Sequence, residues 1–120
     1  MLDFLYFCML GFFLSHELDA VKRHEWRVLP LTSFLPDHLG EQVFIWAHVP
    51  IIAILFYFGG LDPRSTTALG LSGFAIVHVL LHILFRNHPD YEFNNFSSWS
   101  LIIGTGVFGA LHLIVYGQIG

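Results

Sequence analysis

The sequence predicts an all-α fold, a four-helix transmembrane bundle. Three observations carry that expectation. The chain is 55% hydrophobic and only 12% charged, with mean hydropathy +0.66, whereas soluble domains carry about one quarter charged residues. A chain of 120 residues with this composition is too small to hide its apolar surface in its own core, so the bilayer must act as solvent. Apolar runs near the length that crosses a membrane alternate with short polar, Pro- and Gly-marked stretches. The length fits one domain, residues 1–120. A net charge of −4 argues against nucleic acid as a partner and leaves the lipid bilayer. Cys8 is the single cysteine, which excludes a disulfide framework and a thiolate metal cage.

The first span is expected at about 2–22. Met1 to Ser15 is apolar apart from Asp3, and the polar cluster His16-Glu17-Leu18-Asp19 occupies the final turns. A signal peptide would start with basic residues and end in a small-residue cleavage site, and neither is present. Lys22, Arg23, His24, Glu25 and Arg27 follow. Pro30 and Pro36 then punctuate an amphipathic loop that sets Leu29, Leu31, Phe34 and Leu35 at the interface. The second span, 41–59, begins near Trp46, an interfacial aromatic. It contains His48 and Pro50, and the proline predicts a kink. Gly59-Gly60 ends it, and Asp62-Pro63-Arg64-Ser65 makes a tight turn. The third span, 66–86, carries His78 and His82. The fourth, 97–117, starts in a Ser97-Ser98 cap region. Its small residues Gly104, Gly106, Gly109 and Ala110 permit close helix approach, either inside the bundle or in a homo-oligomer contact.

Basic residues give an orientation. Lys22, Arg23, Arg27 and Arg86 lie in loops one and three, and loop two holds only Arg64. The positive-inside rule then places loops one and three in the cytoplasm and both termini outside, in a bacterial inner membrane. Counting inward from the cytoplasmic ends at ~1.5 Å per residue puts His82 ~6 Å deep, His16 ~9 Å, His48 ~10 Å and His78 ~12 Å. Three helices thus bring four histidines to one slab. His112 lies toward the other end of its helix and falls outside it.

His78 and His82 stand four apart, so both rings share one helix face. Ionisable groups inside a membrane are costly and point to function. The expected metal ligands are therefore His16, His48, His78 and His82. Asp19 follows His16 by three residues on the same face, as a ligand, a general base or an acceptor for an imidazole N–H. Ser15 and Asp19 are the candidate catalytic groups. Glu17 faces elsewhere and is expected to be solvated near Lys22 or Arg23, while His24-Glu25-Trp26-Arg27 reads as an interfacial anchor. Three histidines and a water suit zinc. Histidines with carboxylates suit mononuclear or dinuclear iron. A facing histidine pair suits haem b in electron transfer. The enzyme reading is a metal-dependent hydrolase or oxidoreductase acting on a lipid-like substrate. Its rival is a non-catalytic membrane subunit or small transporter whose histidines form a polar path.

Two resemblances bear on this. His16-Glu17-Leu18-Asp19-Ala20 followed by His24-Glu25-Trp26-Arg27 resembles the opening motif of small uncharacterised bacterial four-span membrane proteins, similar to the HXXEE-domain proteins. That resemblance implies an integral membrane protein and no particular chemistry. Ser15, His16 and Asp19 with His78-x-x-x-His82 are similar to the Ser, His, Asp and HxxxH pattern of intramembrane zinc hydrolases such as alkaline ceramidases, where three histidines hold zinc. That family has seven spans and a different Ser/His/Asp spacing. The zinc-protease HExxH pattern fails at Ala20, which removes the second zinc ligand.

Overall fold

The computed structural model describes residues 1–119. They form helices α1 (Leu2–Lys22), α2 (Asp37–Tyr57), α3 (Thr66–Phe85) and α4 (Phe96–Ile119), with a 3₁₀ turn at Glu25–Arg27. There is no strand among the described residues. All four helices are long and apolar enough to cross a membrane.

The helix ends follow local chemistry. Ser65 caps α3 by accepting a hydrogen bond from the Ala68 N–H. At the end of α2, Gly59 takes φ +87°. This lets Gly60 N–H donate to Leu55 and Gly59 N–H to Phe56, closing the helix in a Schellman motif. α4 starts at Phe96. Its cap is Asn95, whose side chain accepts the Ser98 N–H at 2.8 Å, in place of the expected Ser97-Ser98. The Ser98 hydroxyl is engaged elsewhere, donating to Asp19. α2 begins at Asp37, four residues before the expected span. Pro36 takes the extended conformation that precedes a helix, and the Asp37 carboxylate accepts from Trp26 Nε1 and from Nε and Nη2 of Arg27.

α4 packs closely on both α1 and α3. Its glycines make this possible. A Cβ on Gly104 would run into the Phe12 ring of α1, and one on Gly106 into Val79 of α3. On Gly109 it would stand 2.8 Å from the Ser72 carbonyl oxygen. Ala75, Ile102 and Thr105 are fully buried along these seams. By contrast, α2 packs mainly on the 3₁₀ turn and stands off from the other three helices. Gly40 lies so close to Trp26 that a Cβ would approach its ring to 2.8 Å.

Loop one folds back instead of leaving the bundle. His24 adopts the left-handed conformation at φ 55° and ψ 45°, which costs a non-glycine residue about 1–2 kcal/mol. Its Nδ1 bonds the Glu92 carboxylate at 2.6 Å, holding the reversal. Trp26 is 2% exposed, packs near Phe44, and its carbonyl accepts from the Thr32 hydroxyl. The hydrogen bond to Asp37 raises the Arg27 pKa above its ordinary value, keeping the guanidinium charged. The segment expected to anchor at the interface is thus a packed turn that presents Glu25 inward.

Candidate metal centre

His78 and His82 project from one face of α3, their ring centroids 4.6 Å apart. α1 lies alongside and places His16 4.5 Å from His78 and 4.9 Å from His82. The three rings form a nearly equilateral triangle. From the 3₁₀ turn, Glu25 brings Oε1 to 3.5 Å from His82 Nε2. One ring nitrogen from each histidine and one Glu25 oxygen all lie within 4.8 Å of one another. Four donors held tetrahedrally at about 2.0–2.2 Å from one ion stand about 3.3–3.6 Å apart, so the widest pair closes if each side chain moves by less than about an ångström.

The group is deeply buried. His16 is fully buried, His78 is 7% exposed and His82 5%. Apolar walls surround it. Phe93 stands edge-on to His82 at 4.8 Å and tilted against His16 at 5.5 Å, and Phe13 covers His78. Both ring nitrogens of His16 and Nδ1 of His78 are buried without a hydrogen-bond partner. Each orphaned polar atom costs about 1–3 kcal/mol, and a bound cation would take one nitrogen from each ring. His82 Nδ1 is bonded to the Tyr91 hydroxyl at 2.9 Å, leaving Nε2 turned toward Glu25. Burial, reinforced by the Glu25 carboxylate, raises the Tyr91 pKa above the ordinary phenol value, so its hydroxyl keeps its proton. A back-side partner of this kind fixes the ring and its tautomer.

The other expected site residues lie elsewhere. His48 belongs to a different contact: its Nδ1–H donates to the Phe44 carbonyl, and its Nε2 bonds Glu17 Oε2 at 2.7 Å. Glu17 is therefore paired across to α2, not solvated beside Lys22 or Arg23. Asp19 turns toward α4, where Ser98 donates to Oδ2, and Arg23, at the end of α1, donates to Oδ1. Ser15 is exposed on the outer side of α1. His112 sits at the opposite end, between Ser72 and Pro63. Glu25 was missed as a member of the group. Its only sequence signal is a lone carboxylate among His24, Trp26 and Arg27 in a segment followed by apolar Val28 and Leu29.

The His/Glu group borders a groove of about 1180 Å³ between α2 and the α1–α3 pair. Its walls are almost wholly apolar, and Glu25, His78 and His82 line it at one end together with Glu17 and His48.

A buried three-histidine, one-carboxylate group among four membrane-capable helices defines the class: an apolar helical protein with a cluster compatible with metal binding. The chain belongs to DUF6713, a family of unknown function, whose model matches residues 2–118. No curated protein and no solved structure matches it.

Proposed function

We propose that this integral membrane protein binds one first-row transition metal ion through His16, His78, His82 and Glu25, and that it is a metal-dependent hydrolase or oxidoreductase acting on a lipid-like substrate. The observation that carries the reading is one donor atom from each of three buried histidines and from Glu25 gathered within 4.8 Å, in a group where both nitrogens of His16 and Nδ1 of His78 have no hydrogen-bond partner. A merely structural histidine cluster would pair its nitrogens. Imidazole with carboxylate suits zinc or iron. Haem b is disfavoured by the packing: imidazoles on opposite faces of one iron stand with ring centres roughly 6 Å apart, given metal–nitrogen bonds near 2 Å, and these centroids are at 4.5–4.9 Å.

When bound, the ion would supply Lewis acidity or redox chemistry. The chain supplies the rest. Phe13 and Phe93 exclude water from the rings, Tyr91 orients His82, and the apolar groove brings a hydrocarbon substrate to the exposed edge of the centre. Loops one and three, which with Lys22 at the end of α1 carry four of the five basic residues, would face the cytoplasm of a bacterial inner membrane.

The test is elemental analysis of detergent-purified protein together with X-ray absorption at the metal edge. The expected result is one equivalent of zinc or iron per chain with imidazole ligation, lost in His78→Ala and His82→Ala. A folded, monodisperse protein without stoichiometric metal, purified without chelator and after metal supplementation, overturns the reading. A Soret band in its absorption spectrum overturns the choice of a non-haem ion.

A further inference from the structure

The groove has a length, a chemistry and an end point that together specify an occupant. One end of it lies at the His/Glu group, where Glu25, His78 and His82 line it and His78 is 7% exposed. Its far end reaches Thr67 and Leu61, near loop two. Along α3, the eleven helical steps from His78 to Thr67 span ~16 Å. That is the length of one leaflet's acyl chain, half of the ~30 Å hydrocarbon thickness, and because the groove starts ~12 Å inside the proposed cytoplasmic end of the helices a lipid seated in it has its polar linkage drawn inward to the His/Glu group. The groove is also more capacious than the roughly 300–1,000 Å³ typical of drug-sized ligand sites. It is open along its side, since wall residues Leu14, Ile51 and Phe74 remain 52%, 51% and 46% exposed, so a tail can enter laterally from the bilayer.

Two glycines interrupt the wall. Gly11 of α1 and Gly70 of α3 both line the groove, and a Cβ on either would meet nothing within 4 Å. They are not needed for helix packing, unlike Gly104, Gly106 and Gly109. α1 and α3 bring His16 and His78 to one level. Measured from that level, Gly11 lies five residues up α1, ~8 Å, and Gly70 eight residues up α3, ~12 Å. Missing side chains at two heights leave the groove open along its full length.

We propose that the groove seats a single hydrocarbon tail of a bilayer lipid, with the lipid's polar linkage at the His/Glu group, and that Gly11 and Gly70 set the length of tail accepted. The position of the polar end rests on the metal-centre reading, whereas the seating and length of the tail do not.

The experiment is mass spectrometry of lipids retained by the full chain after purification in mild detergent, with metal content measured on the same samples. Gly11→Trp and Gly70→Trp place a large ring in open space. Gly117→Trp is the control, because a Cβ there also meets nothing and Gly117 lies on α4 outside the groove. The wild type and Gly117→Trp are expected to retain the same long-tailed lipids. Gly70→Trp removes the last ~4–5 Å of groove and shortens the retained tails by about three or four carbons, and Gly11→Trp shortens them further. Metal content is expected to stay at the wild-type value in all three. The inference is overturned if both groove variants retain the wild-type tail distribution, if Gly117→Trp shifts it equally, or if the wild type retains no lipid and the groove is filled by a second copy in a dimer. Graded tail shortening in a protein without metal supports the seating and overturns only the metal-centre reading.

Discussion

Two buried histidine sites stand at opposite ends of this bundle, and they differ in one respect. At the loop-two end, His112 is fully buried, yet both its nitrogens are engaged. Nε2–H donates to the Pro63 carbonyl at 2.9 Å, and Nδ1 accepts from the Ser72 hydroxyl at 2.8 Å. One donor and one acceptor meet the needs of a neutral imidazole. Tyr6 packs beside it and donates to the Gly60 carbonyl, so this end is a satisfied clasp tying α1, α3, α4 and loop two together. At the other end, His16 is equally buried with neither nitrogen engaged. Burial alone does not separate structure from function. The state of the nitrogens does.

The largest expected effect breaks the comparison directly. His16→Ala should reduce metal content from one equivalent to near zero, because three remaining donors leave the ion short of a ligand that nearby residues cannot replace. His112→Ala should leave it unchanged. Metal loss in His112→Ala with retention in His16→Ala would place the centre at the wrong end of the molecule.

Stability should reverse the ranking once metal is stripped. In chelator-treated protein, His112→Leu leaves the Pro63 carbonyl unpaired and the Ser72 hydroxyl with only the weak Met9 sulfur acceptor at 3.4 Å, a destabilisation of about 1–3 kcal/mol. His16→Leu removes two orphaned polar atoms and substitutes an apolar side chain of similar size, so it should be neutral or stabilising by about 1–3 kcal/mol. Thermal unfolding in detergent reads both. Equal destabilisation by the two substitutions would show that His16 has structural partners after all.

Much of this was legible in the sequence, for reasons that can be named. The four helices follow from hydropathy, and the convergence of His16, His78 and His82 follows from helical rise and the i, i+4 rule. His112 was separable by the same arithmetic. Depth could not resolve azimuth. His48 lies at the expected level, but α2 stands off from the other helices, so its ring meets Glu17 and not the triangle. Asp19 has the spacing to share the His16 face, yet the α4 seam draws it to Ser98. Glu25 was hidden for a different reason. Its position depends on a left-handed residue that is not glycine, His24, and on long-range contacts to Glu92 and Asp37 that no local pattern encodes.

A smaller effect sharpens the role of the surroundings. Tyr91→Phe keeps the ring against Phe93 and Trp99 but removes the hydroxyl that holds His82 Nδ1. Metal affinity should fall by about 10–100-fold with ligation unchanged, measured by competition with a chelator of known strength. An unchanged affinity would mean that packing alone orients His82.

The smallest effects concern Ser15 and Asp19, the two catalytic candidates that the sequence offers. Ser15 is exposed on the side of α1 away from the triangle, one residue from His16. Successive residues on a helix point in directions about 100° apart, so sequence proximity does not bring its hydroxyl to the centre. Ser15→Ala should alter neither metal content nor turnover. Asp19→Asn keeps an oxygen for Ser98 and forfeits the charge that holds Arg23 at 3.3 Å. Because a charge-assisted bond becomes a neutral one, the expected loss is about 0.5–1.5 kcal/mol, seen as a lower unfolding temperature with metal content intact. Both outcomes follow from a centre closed by Glu25. If Ser15→Ala or Asp19→Asn abolishes turnover at full metal content and unchanged stability, the reacting atoms lie on the far side of α1, and the contrast between the two ends of the bundle says nothing about catalysis.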